Sequence, residues 1–175
     1  LPWMSNWQYA NQVPTQQFRS ANGLPRDVSL YNYNGEEYVS VKPSPEVLNA
    51  FEQKASGRFQ MASYLEVTNI KSNASIVLSN DKDEYVTMVY DGKNGTFSMD
   101  RTQSGLTEFH NDFKSKTIAP TNGVIKGMQI FVDRCSIEAF DIDGKVAMSN
   151  LVFSSKPYDK IVAKGCKVKI HALKD

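Results

Sequence analysis

Cysteine is scarce. Cys135 and Cys166 are the only two in 175 residues, too few for a disulfide framework and spaced unlike a C-x-x-C metal or redox motif. A pair of buried apolar thiols is the first reading, and a single bridge is the alternative. Histidine is as rare: His110 and His171 stand in neither H-x-x-x-H nor H-E-x-x-H spacing, so no zinc site and no cofactor are expected. No run approaches the roughly 18 consecutive apolar residues of a membrane-crossing helix. Neither sign of charge dominates, with 20 Lys and Arg against 19 Asp and Glu for a net +1. There is thus no global field to draw nucleic acid or an anionic membrane. The G-x-S-x-G, G-x-G-x-x-G and P-loop patterns are missing, which removes the nucleophile-elbow, dinucleotide and phosphate-cradle readings. The first residues, Leu1 to Trp7, include no initiator Met at position 1 and form neither a charged nor an apolar leader region. The chain reads as a piece of a longer polypeptide.

What is present is a globular composition, 41% hydrophobic and 11% aromatic, in a length that suits one domain of about 100–200 residues. Most of it alternates at period two between turn signals, the pattern of half-buried antiparallel strands. Asp27 to Tyr33 and Glu37 to Val41 flank Asn34-Gly35, a dipeptide suited to a type I′ hairpin. Further strands are expected at 59–68, 74–78, 84–90, 96–100, 128–133, 136–141, 145–153, 160–163 and 167–172. One segment differs: Ser44-Pro45-Glu46 ahead of Val47, Leu48 and Phe51, with Gly57 as a stop, predicts a single short helix. About eleven short strands at this spacing predict an all-β, two-sheet antiparallel β-sandwich, with a closed barrel as the alternative. Residues 1–23 lack the alternation, are rich in Asn, Gln and Ser, and read as a connector ahead of a domain spanning 24–175.

Few residues are arranged for catalysis. Cys135 lies in Arg134-Cys135-Ser136, which matches no local thiol-protease signature. A glycosidase needs two acids about 5–9.5 Å apart, a distance that sequence spacing does not reveal. Among the acids, Asp100-Arg101 and Asp133-Arg134 read as turn caps or surface ion pairs, and Asp141 and Asp143 as flanks of a hairpin turn. Glu138, between Ile137 and Ala139, should face away from them into solvent. Trp3 and Trp7, with Asn6 and Gln8 nearby, suit sugar recognition by ring stacking plus hydrogen bonds. Packing against a neighbouring domain is the competing role, and the two are compatible if that domain carries the site.

Several segments in order carry a family resemblance: Trp3-Met4-Ser5-Asn6-Trp7-Gln8-Tyr9 followed by Pro14, Phe18-Arg19-Ser20, Leu24-Pro25-Arg26-Asp27, Ser98-Met99-Asp100-Arg101, and Phe131 to Phe140 followed by Asp143-Gly144. The sequence resembles the end of glycoside hydrolase family 32, the fructan and sucrose β-fructosidases such as levanase, inulinase and invertase. Cys135 stands where that family more often has Ser, and Ala139 where it has Val.

The resemblance implies that residues 1–23 are the remnant of a last propeller blade plus a linker, and that 24–175 are the C-terminal β-sandwich. It implies a retaining parent enzyme whose nucleophile, transition-state stabiliser and acid/base sit in an N-terminal five-bladed propeller. Asn111-Asp112 is followed by Phe113 and Arg26-Asp27 by Val28, and neither cysteine follows Glu, so those motifs are not matched here. This chain is therefore expected to be non-catalytic and to stabilise a propeller of the same polypeptide. Trp3, Asn6 and Trp7 are the expected sugar-contacting residues in the parent, and Trp3, Trp7 and Tyr9 the expected interface with the propeller. The parent is expected to be exported and to act on fructan or sucrose, neutral sugars that agree with the near-neutral charge. Two other roles are carried forward: a fructan-binding module, for which the strands offer Tyr85, Tyr90 and Phe97, and an oligomerisation module.

Overall fold

The chain is described by a computed structural model covering residues 1–53, 59 and 62–174. After an N-terminal segment come β1 (Arg26–Tyr33), β2 (Glu36–Pro43), α1 (Pro45–Asn49), β3 (Phe51–Gln53), β4 (Ser63–Thr68), β5 (Asn73–Ser79), β6 (Tyr85–Asp91) and β7 (Thr96–Gln103). There follow β8 (Lys116–Pro120), β9 (Met128–Val132), β10 (Ser136–Asp141), β11 (Ala147–Leu151), β12 (Lys160–Lys164) and β13 (Lys167–Leu173). Every pairing is antiparallel. Six strands form one sheet in the order β11-β10-β9-β4-β13-β3, and five form the other as β12-β5-β6-β7-β8. Their inner faces supply one core: Leu65, Ile130, Ile137 and Ala139 from the first, and Leu78, Val86, Met88 and Met99 from the second. Two sheets closed over one apolar layer make the β-sandwich that the alternation predicted.

The hairpin β1–β2 stands outside both sheets as a two-stranded ribbon. Its turn holds Asn34 at φ 53° and Gly35 at φ 86°, the left-handed pair that an Asn-Gly turn supplies. Isolated ribbons are marginal, and this one is tied down by the Val41 amide, which donates to the Gly144 carbonyl at 2.9 Å. With α1 it covers the outer face of the six-stranded sheet, where Val47 packs with Tyr64, Phe131 and Phe140, flanked by Leu24, Val41 and Leu48.

That cover explains a correction. Glu138 does point away from Ile137 and Ala139, but its outward side is not solvent: the residue is 3% exposed. Alternation gives the direction of a side chain and not what lies there. The helix is also shorter than expected, ending at Asn49, because Phe51 enters β3 and pairs with Leu173 of β13. Gly57, its expected stop, lies outside the described residues. The expected strand 59–68 is found as Ser63–Thr68, and the polar interval after β7 contains β8, an edge strand ending at Pro120. Tyr90 and Phe97 belong to the core, leaving Tyr85 as the exposed ring of that trio.

Candidate functional site

The N-terminal segment folds back on the sandwich. The Met4 amide donates to the Ala21 carbonyl at 2.8 Å and the Gly23 amide to the Pro2 carbonyl at 2.9 Å, with Trp3 and Asn22 bridged as a short antiparallel pair. The side-chain oxygen of Asn6 accepts from the Gln8 amide at 2.8 Å, and its carbonyl accepts from Tyr9 and Ala10. This Asx turn is what an Asn in a polar, non-periodic stretch does locally. It leads into a single 3-10 turn at Ala10–Gln12.

The turn places Trp3 and Trp7 side by side, ring centroids 5.1 Å apart and tilted by 52°. Trp7 is 89% exposed and Trp3 43%, with the Trp3 indole N–H donated to the Ser20 hydroxyl. Trp3 and Trp7 are thus neighbours on one surface, while Asn6 is half-buried and its side-chain oxygen is already engaged in shaping the turn.

Tyr9 goes the other way. It is 6% exposed, edge-on to Phe113 at 5.4 Å, in a second apolar cluster with Met4, Val13, Leu151 and Phe153. Its hydroxyl lies 3.3 Å from the Arg101 guanidinium. Arg101 also donates to the carbonyls of Phe113 at 2.8 Å and Leu151 at 3.2 Å. The guanidinium sits 4.1 Å from the Phe113 ring centroid, where the ring quadrupole favours a cation. Arg101 is therefore not the surface ion-pair residue that its acidic neighbour suggested: it is 4% exposed and ties the N-terminal segment to the sandwich. The signal was present in the sequence as Asp100-Arg101, but its partner ring lies 92 residues away.

Asp100, Asp133 and Glu138 each have a local occupation. Asp100 accepts from the Thr102 amide and hydroxyl at 2.9 and 2.7 Å, and Asp133 from the Arg134 amide at 2.7 Å. Glu138 accepts from the Leu24 amide at 2.9 Å, the Ser149 hydroxyl at 2.9 Å and the Arg26 guanidinium at 2.5 Å. Asp141 is fully buried at the β10–β11 turn with neither carboxylate oxygen in a hydrogen bond among the described residues, and burial pushes its carboxyl above the ordinary carboxylate range. Burial and the Asp133 charge push the Cys135 thiol up, so it is held as a thiol. Cys135 and Cys166 are both unbridged. His171 faces Glu66 at 3.1 Å, stacked on Tyr64, and His110 accepts from the Asp112 amide at 3.2 Å. Among the described residues no three His, Cys, Asp or Glu side chains converge as a metal site would require.

Residues 28–174 match the family model described as glycosyl hydrolases family 32, C terminal. The chain belongs to that family. It is similar to the levanase of Bacillus subtilis strain 168, 29% identical over 99% of this chain and 30% of that protein. It is also similar to an extracellular exo-inulinase of Aspergillus niger, 27% identical over 89% of this chain and 33% of that protein. Among solved structures, an exo-inulinase from Aspergillus awamori superposes with a TM-score of 0.79 at 22% identity, covering 98% of this chain and 39% of that one. The last likeness shows the shared sandwich fold. The family 32 sandwich described here spans about a third of the length of these curated relatives.

Proposed function

We propose that this chain is the non-catalytic C-terminal sandwich of an exported β-fructosidase acting on fructan or sucrose, and that it stabilises a catalytic five-bladed propeller of the same polypeptide. The observation that carries this reading is the pair of coverages: the levanase match takes in 99% of this chain and only 30% of the relative. Residues 1–23 are read as the end of a last blade and its linker, with Trp3, Asn6 and Trp7 at the mouth of the parent's sugar site and the two indoles against the propeller. Tyr9, buried within this chain, supports that interface from behind.

Two features support the reading. Of the acids that spacing left as catalytic candidates, Asp100 and Asp133 are engaged in local caps and Glu138 in an ion pair. The ribbon also presents Val28, Leu30 and Val39 on one face, 67%, 67% and 57% exposed. An aliphatic strip of this kind is commonly covered by a partner surface. Incubating the purified chain with levan, inulin and sucrose tests the claim. Mass spectrometry should detect no free fructose above the buffer blank, and release by the chain alone would remove the non-catalytic assignment.

A further inference from the structure

The opposite face of the ribbon is aromatic. Tyr31 and Tyr38 are cross-strand partners whose rings stack at 5.6 Å and 27°, and Tyr33 meets Tyr38 edge-on at 6.4 Å. Near the base of the ribbon this face closes on the sandwich through buried Ser40, whose hydroxyl donates to the Asp143 carbonyl at 3.3 Å. Beyond it the tyrosines border a cleft of about 300 Å³ whose other walls include Val39 and Val41 of the ribbon, Ala119 and Pro120 at the end of β8, Asn122, and Lys145 of the β10–β11 turn.

The polar groups round this cleft are largely unspent. The Tyr31 hydroxyl accepts from the Asn122 amide nitrogen at 2.8 Å, which leaves its own proton to donate. The side-chain oxygen of Asn122 has no partner among the described residues, and Lys145 makes no ion pair or hydrogen bond with them, acting only at longer range on Asp141. Asn122 is fixed in place, at φ 46°, by the neighbouring Thr121, whose amide donates to the Gly95 carbonyl at 2.9 Å and whose hydroxyl donates to the Gly123 carbonyl at 2.7 Å.

We propose that this cleft is a second carbohydrate site, which takes a neutral fructosyl oligosaccharide against the Tyr31 and Tyr38 rings, with hydrogen bonds from Tyr31, Asn122 and Lys145. Aromatic walls with a few convergent polar groups are what small-molecule sites present, and the volume is at the low end of their range of about 300–1,000 Å³. A short run of sugar fits, and a folded partner does not. The ligand is neutral because Lys145 and Lys42, which packs beside Gly144, are set against Glu36 and Glu37 at the ribbon tip and Asp143 in the β10–β11 turn, so an anion finds no excess of positive charge there. The fructosyl identity rests on the fructosidase reading. A second hold on the polymer would keep it near a propeller site through effective concentration, with no change in the chemistry.

The competing explanation is that the tyrosines only brace the ribbon as a cross-strand pair. That role uses the rings and the Asn122–Tyr31 hydrogen bond and not Lys145. Calorimetric titration of the 175-residue chain with levan-type and inulin-type oligosaccharides separates the two. At least one is expected to bind saturably, and Lys145→Ala and Asn122→Gly each to weaken it about three- to tenfold, the loss of one net hydrogen bond. Glycine suits the left-handed backbone at position 122, so Asn122→Gly should lower the thermal midpoint by no more than the loss of its Tyr31 hydrogen bond, and Lys145→Ala should leave it in place. A Trp3→Ala/Trp7→Ala chain should bind as the parent chain does. Absence of saturable binding, or binding that ignores both cleft substitutions, overturns the site. Fructan hydrolysis by the full-length polypeptide, without binding by this chain, overturns the site and leaves the fructosidase reading standing. Cleft-dependent binding of a glucan in place of both fructans overturns the fructosyl assignment.

Discussion

At the scale of single residues, two buried acids behave in opposite ways. Glu138 is matched by Arg26, Ser149 and the Leu24 amide, so removing it strands a largely buried guanidinium. Glu138→Ala should cost about 3–5 kcal/mol in urea unfolding. Asp141 has no cation in contact, and burial raises its carboxyl above the ordinary 3.8. The folded chain then binds that proton more tightly than the unfolded chain. The group's contribution favours folding at low pH and is lost as pH rises through the folded pKa. Asp141→Asn should therefore gain on the parent chain as the pH is raised above the ordinary 3.8, and a gap that stays flat with pH would contradict this. Neither behaviour was legible in the sequence. Ile137-Glu138-Ala139 gives the side of the strand on which Glu138 lies, whereas the groups that meet it there, the Leu24 amide and the Arg26 guanidinium, come from 114 and 112 residues upstream.

At the scale of elements, local signals held and long-range ones did not. Asn34-Gly35 placed a hairpin turn because its backbone requirement is local. The helix signal at Ser44-Pro45-Glu46 was right about the start and blind to the stop, since β13 draws Phe51 into a strand. Trp3 and Trp7 were recognisable by composition, but the anchor that fixes them, Tyr9 on Arg101, joins residues far apart in sequence. Arg101→Met should remove charge-assisted hydrogen bonds worth about 1.5–3 kcal/mol each. Hydrogen exchange at the Tyr9, Ala10 and Gln12 amides should quicken while β4 and β9 stay protected. Equal protection in all of these segments would show that the N-terminal segment does not depend on Arg101. The loop after β7 is equally constrained: Gly105 sits at φ 125°, and an added Cβ would lie 2.4 Å from the Phe153 carbonyl oxygen. Gly105→Ala should cost about 2 kcal/mol or more from strain and overlap together, read as a fall in thermal midpoint.

At the scale of the whole molecule, the sandwich has its own core yet exposes two indoles and an aliphatic strip on the ribbon. A propeller docked on those surfaces would account for them, and the docked state would be stabilised by mass action within one polypeptide. The measurement that bears most directly on this is fructose release from levan after a heat challenge, comparing the full polypeptide with its upstream portion alone and with this chain alone. The full polypeptide should retain activity to a higher temperature than the upstream portion, and this chain should release nothing. Fructose release by this chain, or equal heat resistance with and without it, would contradict the assignment.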